Sequence, residues 1–416
     1  MSLKNVRFDD TCRICGVKNT EVVFRLEPTP PGDMFLPKSL LDLSSACYPL
    51  DLALCNSCGY VYLPHVLDPD SSYSNYIYET KITTGLVEHY NAYAKEVEQY
   101  FQSERIGLIV DLGSNDGTML KAFKRLGHNV LGVEPNENLS QASNNDNLHT
   151  INDYFSKKVA KKILEVHGKA SVVTANYMFA NVDDLINFTK LVETLLDDNG
   201  IFVIQTGYHP DQMQIKMFDY IYHEHFSYFT LNVLNKLLKI CGLRILDVKK
   251  HNSKGGSVRV VAAKHNSNRP SSTILHVIMD GEKRTGMDKR ETYLQFSRIV
   301  TDQKCRVLDT IKSIKAKGQS IVGFGASHST TTLLHHFQLG AYLDYLVDDN
   351  PSKQGLYSPG YHLPVYSPRC MYKENPDYLL LLAWQHKETI VDRHRKILET
   401  GTKFILPLPE LEIVSS

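Results

Sequence analysis

The sequence lacks an excess of either charge: Lys plus Arg and Asp plus Glu both total 46 in 416 residues. No global field is available to recruit nucleic acid or an anionic membrane, so any polyanionic ligand must be held locally. It also lacks any apolar run near the roughly 20 residues that cross a bilayer, and the opening MSLKNVRFDD has no apolar signal core. The expectation is a soluble, cytoplasmic chain with no nucleic-acid and no membrane partner. Cysteine is sparse, since eight in a chain this long are too few for a secreted disulfide scaffold. Repeats and low-complexity tracts are missing, and nothing implies a protein partner. What remains is a globular composition long enough for two or three domains, each burying its own core.

Four of the cysteines nevertheless cluster. CRICG supplies Cys12 and Cys15, and LALCNSCGYVYL supplies Cys55 and Cys58. Each CxxC turn can aim two thiolates at one tetrahedral cation, and Gly16 and Gly59 free the backbone to turn behind each pair. The expectation is a four-cysteine zinc site, structural because it leaves no open coordination position. The interval between the knuckles has no cluster of Lys and Arg, so a nucleic-acid-binding zinc ribbon is disfavoured. Cys47, Cys241, Cys305 and Cys370 are scattered and read as inert thiols.

The stretch RIGLIVDLGSNDGTMLKAFKRLGHNVLGVEP runs from an apolar segment, Ile106 to Val110, through a glycine turn into an amphipathic helix from Thr118. A second apolar segment ends at Glu134. This is the strand, loop, helix, strand unit of a doubly wound α/β sheet, whose ligands lie at the carboxyl ends of its strands. Gly113 and Gly117 let backbone approach a cofactor, and Glu134 can hold both ribose hydroxyls. DLGSNDG lacks the third glycine of the dinucleotide fingerprint and places Asp111, Asn115 and Asp116 where a pyrophosphate would be repelled. A cationic ligand without phosphates suits it better. S-adenosylmethionine is such a ligand, and DLGSNDG with GVEP resembles the first two motifs of class I methyltransferases.

Later segments extend the same sheet. LHTINDYFS reads as a short strand offering Asp153 to an adenine amine, with Tyr154 and Phe155 as flat neighbours. A buried strand from Ser171 to Ala175 leaves Asn176 to Asp183 at its mouth. A helix near Asp184 to Leu196, the strand GIFVIQTG, a helix near Leu231 to Cys241 and the strands RILDVKK and SVRVVAAK follow. The stretch YHEHFSYF, residues 222 to 229, therefore falls on the cofactor side. Its Tyr222, Glu224 and His225 suit proton transfer, with His225 as general base, Glu224 steering it and Tyr222 holding an oxyanion. Spacing alone does not fix whether His223 or His225 points inward.

The segments CRICG with CNSCGYVYL, DLGSNDGT, FDYIYHEHFSYF, NSKGGSVRV, GFGASHSTTTLL and VDDNPSKQG run in order along nearly the whole chain. Together they resemble the sugar C-methyltransferase family that methylates carbon 3 of nucleotide-linked 4-keto-6-deoxysugars. The resemblance implies an amino-terminal zinc-binding domain, a methyltransferase core and a carboxyl-terminal domain that helps enclose a nucleotide-linked 4-ketosugar. It implies base chemistry for Tyr222, Glu224 and His225, with Tyr76 in the same cavity. The family usually has a histidine where ANYMFANVDD has Asn181, which can hydrogen-bond an oxyanion but cannot shuttle a proton. Tyr208 or His209 is a candidate substitute. Methylation of a sugar oxygen or nitrogen, and a scaffold that merely retains the cofactor pocket, are the alternatives to carbon methylation.

SIVGFGASHSTTTLLHHF repeats strand, glycine loop and helix, and YLDYLVDDNPSKQG gives a second strand ending in acidic residues. This predicts a smaller Rossmann-like domain in which Gly323, Gly325, Ser327 and Thr330 are positioned to offer donors to a diphosphate. Scaffolding without a ligand is the equal alternative. The expected division is a zinc-binding domain at 1–75, a class I methyltransferase domain at 76–265 and the Rossmann-like domain at 266–416.

Overall fold

The computed structural model describes residues 6–42, 45–67, 80–82, 85–102 and 105–415. Its central sheet has seven strands in the order 243–251, 257–264, 196–207, 170–176, 108–112, 129–133 and 150–151. All run parallel except Ser257–Lys264, which pairs antiparallel with both of its neighbours. The strand SVRVVAAK is thus the one reversed strand of this sheet, inserted between 243–251 and 196–207. The helices expected from Thr118, near Asp184 and near Leu231 occupy Thr118–Arg125, Leu185–Leu195 and Leu231–Ile240.

The sheet is covered on both faces, which is why its strands read as continuous apolar runs rather than alternating ones. Ile109, Val172, Ile201 and Val203 join Leu86, Tyr93, Leu120 and Phe123 on one face. Their chain neighbours Val110, Val173, Phe202 and Ile204 join Ile163, Leu185, Val192 and Leu234 on the other. Helix ends are capped by the residues that local chemistry favours: Asn136, Ser156, Asp184 and Thr230 each accept an amide of the first turn. Each such cap contributes about 1 kcal/mol.

The amino-terminal residues form a second, antiparallel sheet in the order 20–29, 48–55, 61–62 and 227–228. Its fourth strand, Ser227–Tyr228, comes from the end of YHEHFSYF, a pairing that the sequence order did not disclose. Both faces of this sheet are buried. Leu50, Leu52 and Leu54 join a core shared with the carboxyl-terminal elements, while Ala53 and Cys55 join the core of the seven-stranded sheet.

The carboxyl-terminal sheet has six strands, ordered 365–366, 346–347, 321–324, 378–381, 403–406 and 412–414. Only the last is antiparallel. A 27-residue helix, Arg290–Ala316, precedes it and packs Val300, Val307 and Ile311 into the core shared with the amino-terminal sheet. Among the described residues no helix is long and apolar enough to cross a membrane.

Candidate active site

A cavity of about 600 Å³ opens at the carboxyl ends of strands 108–112, 129–133 and 170–176. Its floor is the glycine turn. Gly113 has φ 67° and its amide donates to the Val133 carbonyl; a Cβ there would lie 2.9 Å from Met178 Cγ, so the backbone takes space a side chain would need. Asp111, Asn115, Glu134, Asn176 and Asn181 all line the wall, as do Tyr154 and Phe155. Asp111 is buried and accepts from Thr174 Oγ1 at 2.6 Å and from Asn176 Nδ2 at 3.2 Å. Burial pushes its carboxyl up to about 7, against the pull of those two donors. Glu134 accepts the Asn115 amide at 2.8 Å and the Asn136 amide at 2.9 Å, and burial likewise raises its pKa. Ser114 Oγ and Asn176 Oδ1 are buried wall atoms with no hydrogen-bond partner among the described residues. A polar ligand satisfies such atoms, and two acidic walls suit one bearing positive charge.

Three residues read as cofactor contacts stand elsewhere. Asp116 turns its carboxylate back to its own helix, accepting from Thr118 Oγ1 at 2.6 Å, the Thr118 amide at 3.1 Å and the Lys81 amide at 2.9 Å. Gly117, at φ 74°, is needed because a Cβ would come within 2.4 Å of Leu148 Cδ1. Asp153 lies beside the wall rather than on it, its carboxylate accepting the Tyr154 amide at 2.9 Å and facing Lys158 at 3.4 Å.

The residues of the 222–229 stretch divide into two directions. His223 is buried against the amino-terminal sheet, edge-on to the Tyr48 ring. His225 points the other way: Tyr222 Oη lies 2.8 Å from its Nε2, and its Nδ1 lies 3.3 Å from the Tyr220 carbonyl. A carbonyl only accepts, so Nδ1 carries the proton and Nε2 accepts from the Tyr222 hydroxyl. Burial pulls the imidazole down to about 3, with the neighbouring His328 and Lys254 adding to the effect, so it is unprotonated at neutral pH. Its neighbours Lys254 and Phe226 line the cavity, whereas Tyr222, Glu224 and His225 are not themselves among the lining residues. Glu224 is buried one residue away, 3.8 Å from His328 Nε2, and burial drives its carboxyl toward the neutral form. Tyr76 lies outside the described residues.

Tyr208 and His209 do not reach the cavity, contrary to expectation. The Tyr208 hydroxyl donates to Glu282 at 2.8 Å, and His209 stacks on Tyr293 at 5.8 Å, where burial lowers its pKa to about 3. The wall also contains Tyr177 and Met178, within the Asn176 to Asp183 stretch expected at the strand's mouth, and Lys254, which sequence reasoning missed. Lys254, Gly255 and Gly256 have φ of 51°, 74° and 114° in succession. The paired glycines of NSKGGS were the available sign of a backbone forced into a tight, ligand-facing turn.

The cysteine knuckles come together as spacing requires. The four Sγ atoms of Cys12, Cys15, Cys55 and Cys58 all lie within 4.8 Å of one another, with Cys12 to Cys58 at 3.5 Å and Cys15 to Cys55 at 3.6 Å. A tetrahedral zinc with ~2.3 Å bonds to sulfur implies edges of roughly 3.8 Å, so the donor set fits the ion. Four thiolates this close repel one another, and a cation held between them removes that repulsion. An aromatic stack links this cluster to the cavity: Tyr62 on Tyr60 at 5.1 Å, Tyr60 on Phe229 at 6.5 Å and Phe229 on Phe179 at 5.4 Å, the last beginning the turn that ends at Asn181.

The carboxyl-terminal glycine loop does not offer the donors expected of it. Gly323 faces Leu346, Leu382 and Leu343 in the core. Ser327 Oγ caps its helix at the Thr330 amide, and Thr330 Oγ1 lies 3.2 Å from the Gly325 carbonyl.

Known proteins match this arrangement along its whole length. Family models for a zinc binding domain, a methyltransferase domain and a C-methyltransferase C-terminal domain match residues 12–73, 87–248 and 252–409. C-methyltransferase NovU of Streptomyces niveus is 31% identical over 417 residues, covering 99% of this chain and 98% of its own. Among solved structures, the PH0226 protein of Pyrococcus horikoshii OT3 matches at 14% identity over 47% of this chain and 98% of its own, with a TM-score of 0.36. An S-adenosylmethionine-dependent methyltransferase of Clostridium acetobutylicum ATCC 824 matches at 14% identity over 43% of this chain and 92% of its own, with a TM-score of 0.33. The chain belongs to the S-adenosylmethionine-dependent C-methyltransferases that carry an amino-terminal zinc binding domain.

Proposed function

We propose that the protein methylates carbon 3 of a nucleotide-linked 4-keto-6-deoxysugar by proton abstraction, enolate formation and attack on the methyl group of S-adenosylmethionine. The observation that carries this reading is the Tyr222–His225 pair, adjacent in the chain to Phe226 on the wall of a cavity that also holds Asp111 and Glu134. A methyl on a sulfonium is already electrophilic, so the protein's task is to make and align a carbon nucleophile. A ketone at carbon 4 acidifies the hydrogen on carbon 3. The Tyr222 oxygen receives that proton as its own passes to His225 Nε2, the acceptor in the pair. An imidazole held near 3 is a weak base on its own; the negative enolate forming beside it raises its affinity for the proton at the moment of transfer. Asn181, on the wall, donates to the enolate oxygen as a neutral group. Glu224, held toward its protonated form, donates to a sugar hydroxyl. Asp111, Asn115, Glu134 and Asn176 hold the charged methyl donor, and the four cysteines hold a structural zinc.

The test is isotope exchange. The wild-type protein with S-adenosylhomocysteine and a ketosugar in deuterated water should exchange the hydrogen at carbon 3; a sugar oxygen or nitrogen acceptor predicts none. His225→Asn should abolish exchange and turnover while leaving S-adenosylhomocysteine affinity within about twofold, and retained exchange would remove His225 as the base.

A further inference from the structure

One charged side chain of the zinc knuckle leaves its own domain. Arg13, between Cys12 and Cys15, has only 5% of its side chain exposed. Its Nη2 donates to the Leu63 carbonyl at 2.8 Å and its Nη1 to the Phe226 carbonyl at 3.3 Å. Its Nε lies 3.2 Å from Asp183 Oδ1, and the guanidinium sits over the Tyr62 and Phe226 rings at 5.1 and 5.7 Å. Phe226 follows His225 in the chain and lines the cavity; Asp183 lines it two residues beyond Asn181. One guanidinium thus touches two loops, the one that carries Tyr222 and His225 and the one that carries Asn181. The Phe226 carbonyl also accepts the Leu63 amide at 3.0 Å, just before Ser227 and Tyr228 pair with strand 61–62.

We propose that Arg13 is a positioning residue for methyl transfer, setting the separation between the Asn181–Asp183 loop and the Tyr222–Phe226 loop from within the cysteine knuckle. The inference rests on the reaction proposed above. A planar fork is required, because two carbonyls and a carboxylate diverge around one side chain, and an ammonium is a single point donor. A staple that only stabilised the fold would not discriminate between reaction steps. Arg13 contacts both the loop that carries the proton relay and the loop that carries Asn181, so a small drift there degrades near-attack geometry while most of the cofactor wall, built on strands 108–112 and 129–133, is untouched.

The measurement compares wild type with Arg13→Lys and Arg13→Met. Each is checked for bound zinc by elemental analysis, for S-adenosylhomocysteine affinity by calorimetry, for kcat and KM, and for amide hydrogen exchange across residues 222–229. The expected result for Arg13→Lys is retained zinc, cofactor affinity within about twofold, kcat lowered about 10- to 100-fold with a smaller change in KM, and faster amide exchange in that peptide. Unchanged kcat and unchanged protection with zinc retained would overturn the proposal. Arg13→Met serves as the more severe arm; if it loses zinc or fails to fold, the lysine variant still decides. Should the wild type neither exchange nor methylate the ketosugar, the proposed reaction falls. Peptide 222–229 protection then decides for Arg13 alone: faster exchange in Arg13→Lys supports the positioning role and unchanged exchange rejects it.

Discussion

Two sheets in this molecule share the order of their first five strands and a loop design, yet only one glycine loop opens on the cavity. In each, a carboxylate at the end of the second strand binds two backbone amides, one from the glycine loop and one from the following turn. Glu134 holds Asn115 and Asn136 at 2.8 and 2.9 Å; Asp348 holds Ala326 and Asn350 at 2.6 and 2.7 Å. The difference lies in what packs above. A Cβ would be crowded at both glycines, by Met178 at 2.9 Å on Gly113 and by Ala383 at 2.9 Å on Gly325, but of the two only Gly113 lines the cavity. Over the second helix start runs the amino-terminal segment, with the Gly32 carbonyl accepting from Thr331 Oγ1 and a Gly32 Cβ reaching the His328 backbone at 2.9 Å. An acidic residue after a glycine loop is thus a fastening common to both sheets. Ligand access depends on what the rest of the chain lays across the loop.

The comparison breaks most sharply at the paired carboxylates. Glu134→Gln should weaken S-adenosylhomocysteine binding on the order of 10- to 100-fold, since a hydrogen bond from a charged acceptor is lost. Asp348→Asn should leave that affinity within about twofold and lower only the melting temperature; equal losses of affinity would mean the two loops are not distinct in role.

A pH series sharpens the contrast further. Asp111, held up near 7 by burial, must ionise to favour a cationic ligand, so S-adenosylmethionine affinity should rise about tenfold between pH 6 and 8 and flatten in Asp111→Asn. Stability of the ligand-free protein runs the other way. A carboxyl whose folded pKa exceeds its unfolded value binds extra protons in the native state between about pH 4 and pH 7, so stability falls as pH rises through that window. Asp219, raised to about 7 by burial beside Trp384, adds to the same decline, and urea titrations across the range measure it.

Smaller effects come from the turns. Gly113→Ala should cost about 1–2 kcal/mol from the left-handed backbone and also weaken cofactor binding through Met178. Gly325→Ala, at φ 115°, should lower stability with no change in cofactor affinity. Least of all, Ser327→Ala should remove one helix cap for about 1 kcal/mol, seen as a lower melting temperature with unaltered cofactor binding.

Periodicity and spacing carried the parts of this molecule that are local in the chain. The glycine turn, the acidic end of the second strand and the CxxC pairs are each specified within a few residues, so their positions were legible. Side-chain direction was less so. Asp116 looked like a ligand contact because of its place in the motif, but a threonine two residues on captures its carboxylate. Asp153 was similarly taken by its own turn, leaving Tyr154 and Phe155 on the wall. Contacts made across long separations left no sequence mark. Arg13 meets Phe226 through a separation of 213 residues, and Tyr208 is drawn away from the cavity by Glu282, 74 residues later.

The borrowed fourth strand has a consequence for synthesis. The amino-terminal sheet needs Ser227–Tyr228 to cover the edge at Val61–Tyr62, so during synthesis this sheet waits, with that edge open, for residues made far later. Long-range pairing of this kind is slow and exposes unpaired backbone in the interval. A shortened chain ending before Ser227 would carry the open edge permanently and is expected to aggregate rather than to yield an independent small domain.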